Sequence, residues 1–526
     1  MKNLPIKIID LFAGPGGLGE GFSSLYDKNG DPVFEIALSI EKDEYAHRTL
    51  RLRSFARKIF KDSRYPRKYL QYIANPTSEM FESLLDDFPA EWEAASMEAC
   101  HAELKVDDDS MIEHAKKRLE GYSGPLVLIG GPPCQAYSVV GRSRRAHDKS
   151  LATDEKQTLY KCYLSFIKAL KPDVFVMENV KGMLSAQYES KRVFDLIKSD
   201  MQDAGYTIHS LVQDDPVTGK DFVIEAEKYG VPQARHRVIL LGIKKDSSLP
   251  DKFRHLRERI NPSTVCDAIG SLPALRSGFS KRNKDLSDED WSEYIQAAAC
   301  RILESDEGSG LKSALDAVFD ARYLPKRSSC NLFPHSVNPE QSILDKWYRA
   351  KLEGKRVLPN HETRSHLALD LDRYLFCAAY AHTYGVPARL WHMPDYLIPN
   401  HANAKNAKTE QNKNKLKFTD RFRVQLYDSP STTITSHIAK DGHYYIHPDV
   451  KQCRALTVRE AARLQTFPDD YYFEGGRTQQ YQQIGNAVPP LLAQQIASVV
   501  ADIFGIDNKS FFEINDDASS EVCRGS

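Results

Sequence analysis

Short apolar runs that alternate with helical segments are the feature that most constrains the fold of this 526-residue chain. The runs are IKIIDLF at 6–12, VFEIALSIEKD at 33–43, PLVLIGG at 125–131, PDVFVMENV at 172–180 and HRVILLGIKK at 236–245. Strands of this kind, separated by helical segments such as 159–170, are typical of a parallel sheet that helices cover on both faces. We therefore predict an α/β fold with a doubly wound, mostly parallel sheet.

The alternation of strands and helices is lost near residue 275 and returns close to the C-terminus. Helical patterns resume at LTVREAARLQTF (456–467) and PPLLAQQIASVVADIF (489–504). A smaller second domain is therefore predicted as a late insertion. The predicted organisation is a main domain over 1–274 with an acidic insertion at 66–120, a second region over 275–425, a return to the main domain over 426–507, and a polar tail over 508–526.

Composition excludes several classes of protein. The nine cysteines are scattered and form no CxxC pair, which argues against a disulfide scaffold and a zinc site and for a reducing compartment. No run of 18 apolar residues and no signal-peptide pattern occurs, so we expect a cytoplasmic protein without a membrane partner.

The charge is unevenly distributed although the formal net charge is only −1. Residues 79–120 carry 13 acidic and 4 basic side chains, whereas residues 321–424 carry 18 basic and 9 acidic side chains. The basic segment is a candidate contact surface for nucleic acid. On charge alone, a merely solvated face explains it equally well.

A glycine-rich turn follows the first strand, in the stretch DLFAGPGGLGEGF. Gly14, Gly16 and Gly19 have GxGxxG spacing, and Glu41 ends the second strand 22 residues beyond Gly19. A carboxylate at that distance commonly binds the hydroxyls of a ribose, so the pattern predicts a nucleoside cofactor. A nicotinamide dinucleotide is the first candidate, but the flanking Phe12 and the absence of evident hydride-transfer residues argue against it.

The stretch IGGPPCQAYS presents a cysteine directly after a predicted strand. Glycines allow a sharp turn and two prolines stiffen the backbone, so Cys134 is expected on a rigid loop past the strand end. Reactive groups of α/β proteins lie at such strand ends. An isolated loop cysteine is more often without a chemical role, and only the other motifs favour a reactive thiol.

Six motifs in this chain resemble, in the same order, those of the cytosine carbon-5 DNA methyltransferases. They are DLFAGPGGLGEGF, IGGPPCQAYS, MENV at 177–180, QARHRV at 233–238, RLQTFPDDY at 463–471 and QIGNAVPP at 483–490. The resemblance implies a Rossmann-like fold that binds S-adenosylmethionine as methyl donor, with no metal. It also implies double-stranded DNA as partner.

The resemblance assigns a role to each residue of the reaction site. Cys134 would add to carbon 6 of cytosine, and Glu178 of MENV would relieve the charge on the ring near nitrogen 3. Arg237 would orient the glutamate and contact the base, while Arg235 would approach a phosphate. Since Arg235 and Arg237 alternate, a strand would place them on the same face.

The cofactor contacts implied by the resemblance come from both ends of the chain. They are Phe12, Ala13, Gly14, Gly16, Gly17, Leu18, Glu41, Lys42, Pro132, Leu159, Asn486 and Val488. The last two require the C-terminal helix to fold back beside the first strand. The family also has an Asp after its third strand, for which Asp107, Asp108 and Asp109 are candidates by residue type only.

The predicted activity is methylation of carbon 5 of cytosine in a specific double-stranded sequence, with the base flipped out of the duplex. Region 275–425 would read that sequence, and its candidate DNA contacts are Arg322, Lys326, Arg327, Arg364 and Arg373. A transfer-RNA cytosine methyltransferase and a non-catalytic DNA-binding protein are the alternatives. A monomer is expected, and a separate restriction endonuclease is a candidate companion.

Overall fold

The computed structural model describes residues 4–133, 159–188, 191–280, 287–333, 342–352, 354–400, 404, 408 and 419–516. Its centre is an eight-stranded sheet of order β3-β2-β1-β4-β5-β11-β8, with β9 also paired to β11. These strands are β1 (Ile6–Leu11), β2 (Phe34–Glu41), β3 (Ala99–His101), β4 (Leu126–Gly130), β5 (Val174–Val180), β8 (Tyr206–His209), β9 (Val223–Glu225) and β11 (His236–Lys244). Three two-stranded pairs join β6 (Gln187–Tyr188) to β7 (Lys191–Arg192), β10 (Gln233–Ala234) to β14 (Ser431–Thr432), and β12 (Gly278–Phe279) to β13 (Ser365–His366).

The pairs among β1 to β5 are parallel, and β11 runs antiparallel to β5, β8 and β9. The predicted mostly parallel sheet is therefore confirmed. Sixteen α-helices lie in the described residues, and the first eight of these are α1 (Gly17–Ser23), α2 (Glu44–Ile59), α3 (Arg67–Ala74), α4 (Ser78–Asp87), α5 (Pro89–Glu98), α6 (Ser110–Arg118), α7 (Leu159–Leu170) and α8 (Val193–Asp203). The remaining eight are α9 (Val265–Ile269), α10 (Asp288–Leu303), α11 (Lys312–Leu315), α12 (Ile343–Arg349), α13 (Ala368–Tyr384), α14 (Val458–Leu464), α15 (Arg477–Asn486) and α16 (Pro490–Ile503).

Successive residues of the central strands enter two different cores. In β1, Ile8 packs into a core with α16, whereas its neighbour Ile9 packs into a core with α7 and α8. The same alternation appears in β5, where Val176 and Met177 lie on opposite faces. Helices cover both faces, which explains why these strands are continuously apolar rather than alternating with polar residues.

The acidic insertion at 66–120 forms its own layer of helices. Helices α3 to α6 carry it, and β3 pairs in parallel with the end of β2, where Glu41 lies opposite His101. Apolar residues of the insertion share a core with α2 and with Leu352 and Val357 from the later part of the chain. The insertion thus connects the sheet edge to the region that follows residue 275.

The region after residue 275 packs around a core of its own. This core joins α10, α11 and α13, and it also contains Ile446, Val450 and Cys453, which lie beyond residue 425. A fifth core binds α9 and α12 to α14 and α15. In the part of the chain that the structure describes, no helix is both long and apolar enough to cross a membrane.

Candidate active site

The glycine turn between β1 and α1 is held by the end of β2. Gly14 and Gly16 have φ values of +58° and +99°, a region that favours glycine. The amide of Gly14 donates to Glu41 Oε2 at 2.8 Å, and the amide of Asp43 donates to Glu41 Oε1 at 2.7 Å. Burial raises the pKa of Glu41, while these two donors act in the opposite direction. These two hydrogen bonds hold the carboxylate of Glu41 against the turn.

The C-terminal helix folds back against this turn. A Cβ on Gly17 would lie 2.2 Å from the carbonyl oxygen of Val488, and a Cβ on Gly21 would lie 2.3 Å from Cβ of Ala493. Only glycine permits such a close approach of α1 to the segment that begins α16. Asn486 ends α15 just before this contact, and its side chain is exposed.

The other predicted contacts from the turn lie around the same loop. The amide of Ala13 donates to the carbonyl of Ile40 at 3.1 Å, which ties the loop to β2. Leu18 is buried in the core that contains α16. Phe12, whose φ is +56°, and Leu159 at the start of α7 are half-buried against the core on the opposite face of the sheet. Residues predicted to contact the cofactor therefore lie on both faces of the sheet at the end of β1.

The third strand, β3, places a glutamate beside Lys42. Glu103 lies two residues beyond the end of β3, and Lys42 Nζ is 3.3 Å from its Oε1. Asp107, Asp108 and Asp109 lie farther along, in the turn before α6, where Asp108 accepts a hydrogen bond from Ser110. The carboxylate that follows the third strand is therefore Glu103, which sequence analysis missed because a three-residue strand has no detectable period.

The predicted reaction residues Glu178 and Arg237 lie where β5 ends and the antiparallel strand β11 begins. In this antiparallel pair Glu178 lies opposite Ile239, so Arg237 is the diagonal neighbour of Glu178 on the same face. Arg237 Nε is 2.8 Å from Glu178 Oε1, and both side chains are largely buried. The register of β5 and β11 thus brings Glu178 of MENV and Arg237 of QARHRV close enough to form an ion pair.

The end of β4 approaches this pair. A Cβ on Gly131 would lie 3.0 Å from Glu178 Oε2, and Asn179 Nδ2 donates to the carbonyl of Pro132 at 3.2 Å. Cys134 follows Pro133 in the sequence and lies outside the described residues. The segment that leads to Cys134 therefore borders the Glu178 carboxylate.

Arg235 differs from the sequence-based expectation. It lies between β10 and β11 rather than on a strand with Arg237, and it is 1% exposed. Its guanidinium donates to the carbonyls of Ile434 at 3.0 Å, Gly485 at 3.2 Å and Ala487 at 2.8 Å. Burial and the neighbouring charge of Arg237 lower its pKa. In this structure Arg235 ties the start of β11 to residues 434, 485 and 487, and its approach to a phosphate stays a prediction.

The candidate DNA contacts of the second region fall into two groups. Arg322, Lys326 and Arg327 are exposed, although Arg322 already pairs with Asp320. Arg364 and Arg373 are engaged within the protein. Arg364 lies over the ring of Tyr481, and Arg373 donates to the carbonyl of Leu397 at 2.7 Å.

Comparisons with known proteins agree with this geometry. The family described as C-5 cytosine-specific DNA methylase matches residues 105–502. The Type II methyltransferase M.Bpa9945I of Bacillus paralicheniformis is 33% identical over 94% of this chain and 98% of its own length. The Type II methyltransferase M.DdeI of Desulfomicrobium norvegicum is 26% identical over 95% of this chain and 89% of its own length.

A solved Escherichia coli structure, described as a DNA modification methyltransferase encoded within a prophage, has a TM-score of 0.50 at 20% identity. It covers 95% of this chain and 99% of its own. That likeness supports the fold, and the family together with the fold implies the use of S-adenosylmethionine. The transfer-RNA alternative is not favoured by these relatives. The chain therefore belongs to the C-5 cytosine-specific DNA methylases and is a DNA cytosine-5 methyltransferase.

Proposed function

We propose that this enzyme methylates a flipped cytosine through a covalent adduct with Cys134, in which Glu178 and Arg237 act on the target base. The observation that carries the proposal is the Glu178–Arg237 ion pair, which lies beside the backbone of Gly131, three residues before Cys134. The proposed proton donor and the cation that orients it thus lie beside the segment that leads to the proposed nucleophile.

Each residue supplies a step that cytosine needs, because carbon 5 is a poor nucleophile. The Cys134 thiolate adds to carbon 6, and Glu178 holds a proton against ring nitrogen 3 as negative charge develops there. Carbon 5 then becomes enamine-like and accepts the methyl group. Loss of the proton from carbon 5 and elimination of the thiolate release the product. Arg237 keeps the carboxyl of Glu178 aimed at the ring throughout.

The residues at the ends of β1, β2 and β3 fit S-adenosylmethionine. A Cβ on Gly14 would meet no described atom within 4 Å, so the space over the turn is open. We propose that Glu41 holds the ribose hydroxyls and that Glu103 accepts from the adenine amino group, in place of the Asp of the family. When bound there, S-adenosylmethionine supplies an electrophilic methyl group.

Region 275–425 is proposed to read the DNA sequence, and its exposed basic residues to contact phosphates. A target base inside a duplex is inaccessible, so the enzyme must extrude it and hold the surrounding duplex by a separate surface. A cognate restriction endonuclease acting separately is the proposed companion, since the two relatives compared above are Type II methyltransferases. A monomer is proposed to be sufficient for the reaction.

Trapping on DNA that carries 5-fluorocytosine tests the covalent step. Fluorine cannot leave carbon 5 as a proton does, so the adduct should persist after methyl transfer and survive denaturing electrophoresis. The complex should require S-adenosylmethionine. Cys134→Ser should abolish it, because a hydroxyl is far less ionised than a thiol near neutral pH.

The matched control is Cys266→Ser, which changes an exposed cysteine outside the site and should leave trapping unchanged. Titration with S-adenosylmethionine and with a nicotinamide dinucleotide tests the cofactor separately, and only the first should bind. A trap that maps to another cysteine, or methylation by Cys134→Ser at near-normal rate, would contradict the assignment of the nucleophile.

A further inference from the structure

A buried ion cluster lies directly behind the glycine turn. Arg53 of α2 contacts both carboxylate oxygens of Glu20 in α1, with Nε 2.8 Å from Oε2 and Nη2 2.5 Å from Oε1. Its Nη1 is 2.6 Å from Asp470 Oδ2, and the same oxygen accepts from the hydroxyl of Tyr65 at 2.5 Å. Arg53, Glu20 and Asp470 are each at most 2% exposed. One guanidinium thus joins the helix of the glycine turn to a segment more than 400 residues away.

The same late segment touches the turn itself. The hydroxyl of Tyr471 donates to the carbonyl of Pro15, and a Cβ on Gly16 would lie 2.9 Å from that hydroxyl oxygen. The guanidinium of Arg53 lies 4.8 Å from the centre of the Tyr471 ring. Tyr471 therefore packs directly against the glycine turn, and Asp470 binds the Arg53 guanidinium behind it.

Asp469, the preceding residue, faces the opposite way. Its carboxylate accepts from Arg463 Nη2 at 2.7 Å, and Arg349 Nη1 of α12 lies 3.4 Å from it. Arg349 belongs to the region between the main domain and the late segments. Asp469 thus contacts Arg349 of α12, while the next residue, Asp470, is connected through Arg53 to the helix of the glycine turn.

We propose that Arg53 is a positioning residue for the cofactor: through Glu20 and Asp470 it holds the glycine turn in its binding conformation. The inference rests on the proposed cofactor site, because the turn contributes Gly14, Gly16 and Gly17 to it. Arg53 itself does not touch the reaction pair Glu178–Arg237 among its described contacts. Its loss should therefore weaken cofactor binding without changing the chemical step.

The test is Arg53→Lys in the full-length enzyme, assayed with tritiated S-adenosylmethionine and unmethylated genomic DNA, which offers many short sequences as substrates. Lysine keeps a positive charge between the two carboxylates but lacks the planar fork that reaches both. The KM for S-adenosylmethionine should rise about tenfold, equivalent to about 1.4 kcal/mol, with kcat within about twofold. Arg48→Lys is the matched control, since Arg48 is on the same helix and pairs with Glu474 at 45% exposure. It should leave both constants unchanged.

Glu20→Gln is the second variant, because it keeps the shape and one acceptor oxygen while removing the charge. It should raise the same KM with the same small effect on kcat. A fall in kcat at unchanged KM is what a general loss of folded enzyme would produce, and that result would overturn the proposal. An unchanged KM in folded Arg53→Lys would overturn it as well. If the wild-type enzyme does not bind S-adenosylmethionine, the proposed cofactor site fails instead.

Discussion

Acid should destabilise the protein through a buried histidine, His361. Its ring lies between two partners, with Nδ1 3.0 Å from Thr457 Oγ1 and Nε2 3.0 Å from the carbonyl of Pro273, and it is fully buried. Burial lowers the pKa of His361 from its usual 6.5 to about 4. The folded state therefore keeps the ring neutral, whereas the unfolded chain binds a proton below about pH 6.5.

The sign and size of the effect follow from these two pKa values. Stability from this group is present above about pH 6.5 and is lost as the pH falls towards 4. The complete shift amounts to about 3 kcal/mol. Between pH 7 and pH 5 the loss of stability from this group is about 2 kcal/mol. His361→Gln should lack this loss, because glutamine does not titrate.

Urea unfolding at pH 7 and at pH 5, followed by tryptophan fluorescence, measures the difference. The buried Trp347 lies in the core that contains Leu456 and Val458, which flank Thr457, the hydrogen-bond partner of His361, so it provides a local signal. His382→Gln changes an exposed histidine of α13 and should leave the wild-type pH dependence intact. Equal losses of stability in wild type and His361→Gln would refute the argument.

Three other variants test the site. Gly17→Ala should abolish S-adenosylmethionine binding and destabilise the protein by about 1–3 kcal/mol, because its Cβ would overlap the carbonyl of Val488. Thermal unfolding measures the loss of stability. Gly30→Ala is the control: its Cβ would meet no described atom, so it should cost only the backbone strain of a residue with positive φ. Glu103→Gln should weaken S-adenosylmethionine binding in equilibrium titration by about tenfold, since a charge-assisted hydrogen bond is lost, and unchanged affinity would exclude the contact. Arg237→Lys should lower kcat in the tritium assay by more than tenfold without raising the KM for cofactor, and an unchanged kcat would exclude the role.

The sequence by itself determined five of the eight strands of the central sheet and the glycine turn. Five apolar runs predicted β1, β2, β4, β5 and β11 within a few residues, because strands buried on both faces are locally apolar. The spacing of Glu41 to the glycines predicted a ribose contact, which stays a prediction, and the structure shows Glu41 accepting from the amide of Gly14 in the turn. Such features depend on neighbours in the chain, so they can be read without a structure.

Only the tertiary structure decided which distant residues meet. The short strand β3 is defined by its pairing with β2, and this pairing shows that Glu103 is the carboxylate that directly follows the third strand. Arg235 and Arg237 belong to one motif, yet one is buried against the carbonyls of Ile434, Gly485 and Ala487, and the other pairs with Glu178. The physical reason is that burial and ion pairing depend on surfaces brought together from positions hundreds of residues apart, and local residue patterns carry no information about that packing.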